Sequence, residues 1–239
     1  MNSMDEKGMS LVGHLTELRR SLIISLAAIL VCSLGSYVFS EAIMELLTRP
    51  VDRLVFLSPV EAFLSHIKVS LFIGFLIALP IIVYQTWRFI LPALNQNEKK
   101  SIHVLVPMSL VLFFVGLAFS FILVVPVGIR FLLGYSTEGI EAMISLGNYI
   151  TFVMTMTLPF GIVFQLPLIQ VVLIRLRIVT VQRLASLRKY VVVGAFILSA
   201  ILTPPDVVSQ VMLAVPLLFL YELGLIVSRI VTPRKDKEE

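Results

Sequence analysis

Cysteine is almost absent. Cys32 is the only one in 239 residues, so no internal disulfide forms and no cysteine-based metal cluster can be built. Histidine is nearly as scarce. His14, His66 and His103 lie far apart along the chain and near different predicted membrane surfaces, which argues against a metal site. The strings H-E-x-x-H, G-x-S-x-G and G-x-x-x-x-G-K-[ST] do not occur, so the common hydrolase and nucleotide-binding signatures are missing. We expect no cleavable leader, because Asp5, Glu6 and Glu17 interrupt the amino-terminal basic region. Charge is also short. Only 14% of residues are Asp, Glu, Lys or Arg, against about 25% in a soluble domain.

Apolar residues fill that space. They make up 58% of the chain, and the mean hydropathy is +1.00. Water cannot accommodate so much apolar surface, so it must face lipid. The formal charge of +4 is read as topology and anionic-lipid contact, not nucleic-acid binding.

A helix needs roughly 20 apolar residues to cross the hydrocarbon core. Runs at 22–39, 67–87, 104–125 and 149–174 approach this. Two shorter runs, 190–202 and 211–227, flank Thr203-Pro204-Pro205-Asp206, a turn that stops one helix and can cap the next. The expected fold is all-α: one integral membrane domain over 1–239, with six spans in a concave, kinked bundle. Residues 1–21 form a cytoplasmic amphipathic helix and residues 228–239 a cytoplasmic tail. The fifth span is the oddity. Its 13 residues reach about 20 Å, while the core is about 30 Å thick. Either the bilayer thins there or the last two helices form a shallow hairpin shielded by the rest.

Charge placement sets orientation. Segments 1–20, 88–103, 174–190 and 228–239 hold 15 of the 19 Lys and Arg residues, and the alternate segments 40–66, 126–148 and 203–210 hold 3. Positive residues mark the cytoplasmic side, so both termini are expected inside. Pro80, Pro107, Pro159, Pro167 and Pro216 lie in or near spans and should bend them. No internal repeat is evident.

Few polar residues stand out. Leu11, Leu15, Leu18 and Leu22 form one helical stripe, and Glu17 and Arg20 face away from it. Glu17 either solvates a membrane anchor or offers a carboxylate to a cytoplasmic ligand. The second span ends in the dense string Tyr84 to Lys100, in which Glu98 is the only acid. Asn95 with Glu98 resembles a capping box, and that role stands beside ligand binding as an open alternative. Gln165 sits mid-span between Pro159 and Pro167, and Glu222 lies in the last span. An acid at the bilayer centre costs about 2.5–3.5 kcal/mol, so Glu222 is expected to snorkel from the inner end. Asp206 can cap the sixth helix.

These strings resemble the TatC family, the multispanning subunit of the twin-arginine protein translocase. The matching motifs are His14-Leu15-x-Glu17-Leu18-Arg19, then Ser58-Pro59 with Phe63 and Lys68. They continue with Tyr84-Gln85-x-Trp87-x-Phe89 to Glu98-Lys99-Lys100, Phe160-Gly161 to Pro167, and Leu202-Thr203-Pro204-Pro205-Asp206 to Gln210. The resemblance implies a non-enzymatic receptor for twin-arginine signal peptides, exporting folded proteins on the proton-motive force without a cofactor. It implies small single-span partners of the TatA and TatB type, precursor proteins and further copies of itself, in the cell membrane. It places signal-peptide binding on Glu17, Leu18, Arg19, Phe89, Pro92 and Glu98. It places intramembrane polar contacts to partners on Gln165, Thr203, Asp206 and Gln210. Two positions depart from the family: Gln165 stands where members often have Glu, and Ser21 where a basic residue often follows Arg19-Arg20. An ion-coupled small-molecule transporter is the alternative, weakened by the lack of a buried titratable pair. An intramembrane protease is a third, weakened by the missing catalytic motifs.

Overall fold

The computed structural model describes residues 11–51, 54–90, 102–134, 143–202 and 207–231. The chain packs as two compact units. The first takes Met1–Leu110 and Ser145–Ile150, the second Val111–Ile144 and Thr151–Glu239.

The first unit is built on two long helices, α1 (Leu11–Tyr37) and α3 (Pro59–Ile90), joined through α2 (Ser40–Thr48) and the short strand β1 (Leu54–Val55). The amphipathic stretch and the first apolar run form a single helix with no break. Its 27 residues extend about 40 Å. Of the leucine stripe, Leu15 and Leu22 are exposed and Leu18 is half-buried, and Leu26 and Leu30 further along the helix are exposed too. The face against α3 is small and polar instead. Ser70 Oγ donates to Ser33 O at 2.6 Å, and Ser36 Oγ returns to Cys32 O at 2.6 Å. Gly74 lets the helices approach, since a Cβ there would collide with Ser33 Oγ and the Ser33 backbone. Lipid is as apolar as leucine, so helices in it associate through such small residues and hydrogen bonds. In water this helix would be inside out.

A capping box opens α3. Ser58 Oγ accepts from Glu61 N at 3.2 Å, Pro59 takes the first helical position, and the Glu61 carboxylate reaches back to Leu57 N at 2.8 Å. Its other oxygen accepts from Gly147 N at 2.8 Å. Gly147 lies in the first turn of α6 (Leu146–Val163), next to the short strand β2 (Ile144–Ser145). Tyr149 Oη adds a second tie, donating to Leu47 O at 2.6 Å.

The first unit also takes the start of α6 and the residues of the third apolar helix up to Leu110, and the second unit carries the rest. The third apolar run is longer than expected. It begins in α4 (Ile102–Phe119), passes a π-helical turn at Ser120–Val124 and continues as α5 (Val125–Leu133). Pro126 follows that turn at once. It has no N–H to give the carbonyl four residues back, and the wider turn absorbs the break. The fourth run divides into α6 and α7 (Leu166–Arg175) around Pro167. Then come α8 (Val181–Ser186), α9 (Arg188–Leu202) and α10 (Val207–Val231). Val124, Phe160 and Leu213 form one core cluster of this unit. Val163, Ala195, Leu217 and Leu220 form another.

Among the described residues, five helical stretches are long and apolar enough to cross a membrane: Gly13–Tyr37, Pro59–Ile90, Val104–Leu133, Leu146–Arg175 and Val207–Ile230. The fifth of the six runs read from the sequence lies in α9, whose 15 residues make about 22 Å. The first run ends at Tyr37 rather than Phe39, because the Phe39 N–H turns back to Ser36 O at 3.0 Å and Phe39 precedes α2.

Gly74→Val should cost about 1–3 kcal/mol, the usual range for overpacking, and thermal unfolding in detergent measures it. Glu61 lies ahead of the apolar stretch 67–87. Hydrogen bonds from the Leu57 and Gly147 backbone hold its carboxyl below its ordinary value of 4.5. Because folding lowers this value, the carboxylate's contribution is complete above about 4.5 and vanishes as pH falls through the lower folded-state value. Glu61→Gln should therefore unfold at a lower temperature than the parent near neutral pH. The gap should close under acid, as the parent loses its own charge.

Candidate functional site

The amino-terminal half of α1 lies against the last turns of α3. Helical spacing puts Glu17, Arg20 and Ser21 on one face of α1, and Gln85, Arg88 and Phe89 on one face of α3. These six side chains line a cavity of ≈ 40 Å³, room for a water or two. Ser21 Oγ donates to Gln85 Oε1 at 3.5 Å, and Gln85 is buried. One turn away the His14 ring stacks on Phe89, with centroids 4.2 Å apart and planes 21° from parallel.

The electrostatics of this cavity are unusual. Arg20 and Arg88 line it together with Glu17, yet Glu17 forms no ion pair with a described residue. Glu17 is half-buried. A planar guanidinium is the group that best fits a carboxylate, through two parallel N–H···O bonds.

Of the expected peptide-binding residues, the structure brings together Glu17 and Phe89. Leu18 is half-buried and Arg19 exposed on other faces of α1. Pro92 and Glu98, with the proposed Asn95 cap, lie outside the described residues. Ser21, Gln85 and Arg88 were not singled out as site residues. Their positions at one or four residues from Glu17 and Phe89 were the available signal.

The intramembrane polar residues separate similarly. Gln210 Nε2 donates to Phe196 O at 3.0 Å, tying α10 to α9. Gln165 is the residue before α7, at the break of the fourth apolar run. Thr203 and Asp206 lie outside the described residues. A polar residue not anticipated, Gln170, is buried on α7 and donates to Tyr221 O at 3.3 Å. It fits because α10 has glycine at 224: a Cβ there would lie 2.5 Å from Gln170 Oε1 and 2.8 Å from Pro167 Cα. Glu222 forms a two-pronged pair with Arg188, with Nε–Oε1 and Nη2–Oε2 both 2.7 Å. A separate and larger cavity of ≈ 310 Å³ lies between α2 and β1, mostly apolar apart from Glu45 and Thr48.

Comparison with known proteins places this geometry in context. The family profile described as Sec-independent protein translocase protein (TatC) matches residues 13–216. The Sec-independent protein translocase protein TatC of Carboxydothermus hydrogenoformans is 38% identical over 241 residues, covering 99% of both chains. The protein of the same name from Aquifex aeolicus is 41% identical over 238 residues, covering 96% of this chain and 98% of its own. The crystal structure of the twin arginine translocase receptor TatC superposes with a TM-score of 0.83 at 40% identity, covering 92% of this chain and 100% of that one. The chain, an all-α polytopic membrane protein, belongs to the TatC family of Sec-independent protein translocase proteins.

Proposed function

We propose that this chain captures signal peptides bearing adjacent arginines, and that the cavity between α1 and α3 is part of the capture site. The carrying observation is the Glu17 carboxylate, which lines that cavity without an ion pair among the described residues. A guanidinium entering it exchanges water for a charge-assisted bond, and Ser21 and Gln85 supply further polar contacts. Arg20 and Arg88 stand beside the acid and repel a cation placed wrongly, which favours one docking geometry. Leu18, Arg19, Phe89, Pro92 and Glu98 complete the site on the strength of the family motif. Glu98 gives the second arginine a second carboxylate.

The wider reading follows the same motif. The chain is the core subunit of a translocase in the cell membrane that exports folded precursors on the proton-motive force, without catalysis of its own. It forms a single integral membrane domain. The distribution of Lys and Arg supports cytoplasmic termini. Partners are small single-span subunits of the TatA and TatB type and further copies of this chain. Gln165, Thr203, Asp206 and Gln210 contact a partner helix. Gln165 acts there by hydrogen bonding, since it cannot titrate, and Gln210 exchanges its Phe196 carbonyl for a partner group.

The test is capture of a labelled twin-arginine signal peptide by the full chain in detergent. Glu17→Ala and Glu98→Ala should each weaken capture about 10- to 100-fold, the scale of a hydrogen-bonded charged pair. Glu98→Lys should be worse than Glu98→Ala. A peptide with the arginines replaced by lysines should bind poorly to the parent chain. Undiminished capture by both alanine variants overturns the site.

A further inference from the structure

We propose that the connection from α7 to α9, residues 175–190, is a docking surface for anionic phospholipid headgroups. This inference is independent of the signal-peptide reading and uses different residues.

The segment carries Arg175, Arg177, Arg183, Arg188 and Lys189 and no Asp or Glu. Glu222 of α10 is paired with Arg188. Arg177, Arg183 and Lys189 are exposed. Beside them stand exposed apolar groups, Ile178, Leu187 and Tyr190, and the Lys189 ammonium lies 5.1 Å from the Tyr190 ring centre. Cations interleaved with apolar side chains, directly continuous with two apolar helices, match the headgroup layer of a bilayer. They match a water-soluble acidic partner less well, because such a partner offers nothing to Ile178 or Tyr190.

The surface is also held in place. Leu184 of α8 packs with Ile174, Tyr221 and Leu225, and Tyr221 Oη donates to Leu184 O at 2.6 Å. Thr180 caps α8 by accepting from Arg183 N at 3.3 Å. The headgroup therefore meets guanidinium groups carried on an anchored backbone, and a guanidinium takes a phosphodiester through paired N–H donors.

Arg177 supplies the second, independent observation. Helix α7 ends with Arg177 N donating to Ile174 O at 2.9 Å and Ile178 N to Leu173 O at 3.1 Å. This is a Schellman ending, and the residue at its left-handed position is Arg177, at φ 56°. Glycine is favoured there. A guanidinium is kept at a place where the backbone prefers no side chain, and nothing in the packing of α7 uses it. A role outside the fold accounts for it.

That feature separates ligand binding from folding. Arg177→Gly should leave the thermal midpoint of the purified chain equal or higher. It should weaken phosphatidylglycerol binding about fivefold, the share of one cation near an anionic surface. Native mass spectrometry of the full chain in neutral detergent, titrated with phosphatidylglycerol and separately with phosphatidylcholine, reads both affinities. The parent should prefer phosphatidylglycerol by about tenfold or more. Arg183→Gln, whose backbone bonds in α8 are untouched, should repeat the loss, and Arg49→Gln at the far end of α2 should not. Equal binding of the two lipids overturns the proposal. So does full phosphatidylglycerol affinity in both Arg177→Gly and Arg183→Gln. Displacement of the lipid by millimolar inorganic phosphate or by a polyglutamate peptide also overturns it, since the partner would then be a free anion or an acidic protein.

Discussion

The constraint beneath every feature of this chain is that lipid rewards no apolar burial and penalises every unpaired polar group. Leucine gains nothing by leaving the hydrocarbon, so α1 shows its leucines outward. Serine and glycine hold α1 to α3 because they allow close approach and hydrogen bonds across it. The same rule places Gln170 against Gly224 and sends its amide to the Tyr221 carbonyl. A contact such as Ser70 to Ser33 O would be minor in water. Here it helps decide which face of a helix meets its neighbour.

The same constraint explains how this chain handles proline. Each proline removes one N–H, and the carbonyl it leaves must be met or the helix must yield. Around Pro126 the helix widens for one turn. Around Pro167 it stops at Phe164 and restarts, with Gln165 at the junction and its carbonyl accepting from Ile169 N at 2.9 Å. A polar side chain at a helix break is less exposed to hydrocarbon than one in mid-helix. This gives a physical reason for finding glutamine at that position.

Much of this was legible from residue order alone, and the failures have causes. Hydropathy located the apolar runs because four of them approach or exceed the length needed to cross the hydrocarbon core, and the Thr203–Asp206 turn separates the two shorter ones. It misjudged their ends, because a run does not stop where its helix stops. Phe39 is apolar but turns into α2, and the helical path of the third run continues beyond residue 125 through α5 to Leu133. The motif from His14 to Arg19 pointed to Glu17. It gave no hint that Ser21 and Gln85, 64 positions apart, share a wall of its cavity. Periodicity assigns residues to a face of one helix but does not say which helix that face meets. Glu61 escaped for the same reason, since its second oxygen serves Gly147, 86 positions away.

Glu222 and Glu17 differ in how their charges are paired. Glu222 has both oxygens on Arg188 at 2.7 Å, so its charge is spent within the chain on holding α9 to α10. Glu17 shares its cavity with two arginines and pairs with neither. An unpaired carboxylate beside two guanidinium groups forgoes attraction that a small side-chain rotation would recover. Ser21 meets Gln85 across the α1–α3 packing, and Phe89 is braced by His14. In the proposed capture site the carboxylate is open to a guanidinium from outside, and the neighbouring cations raise the threshold for any ligand that cannot bond to it with two parallel donors. On the proposed reading arginine is preferred to lysine because both meet the same repulsion from the two bases, while only a planar fork aligned on the acid forms two parallel hydrogen bonds with it.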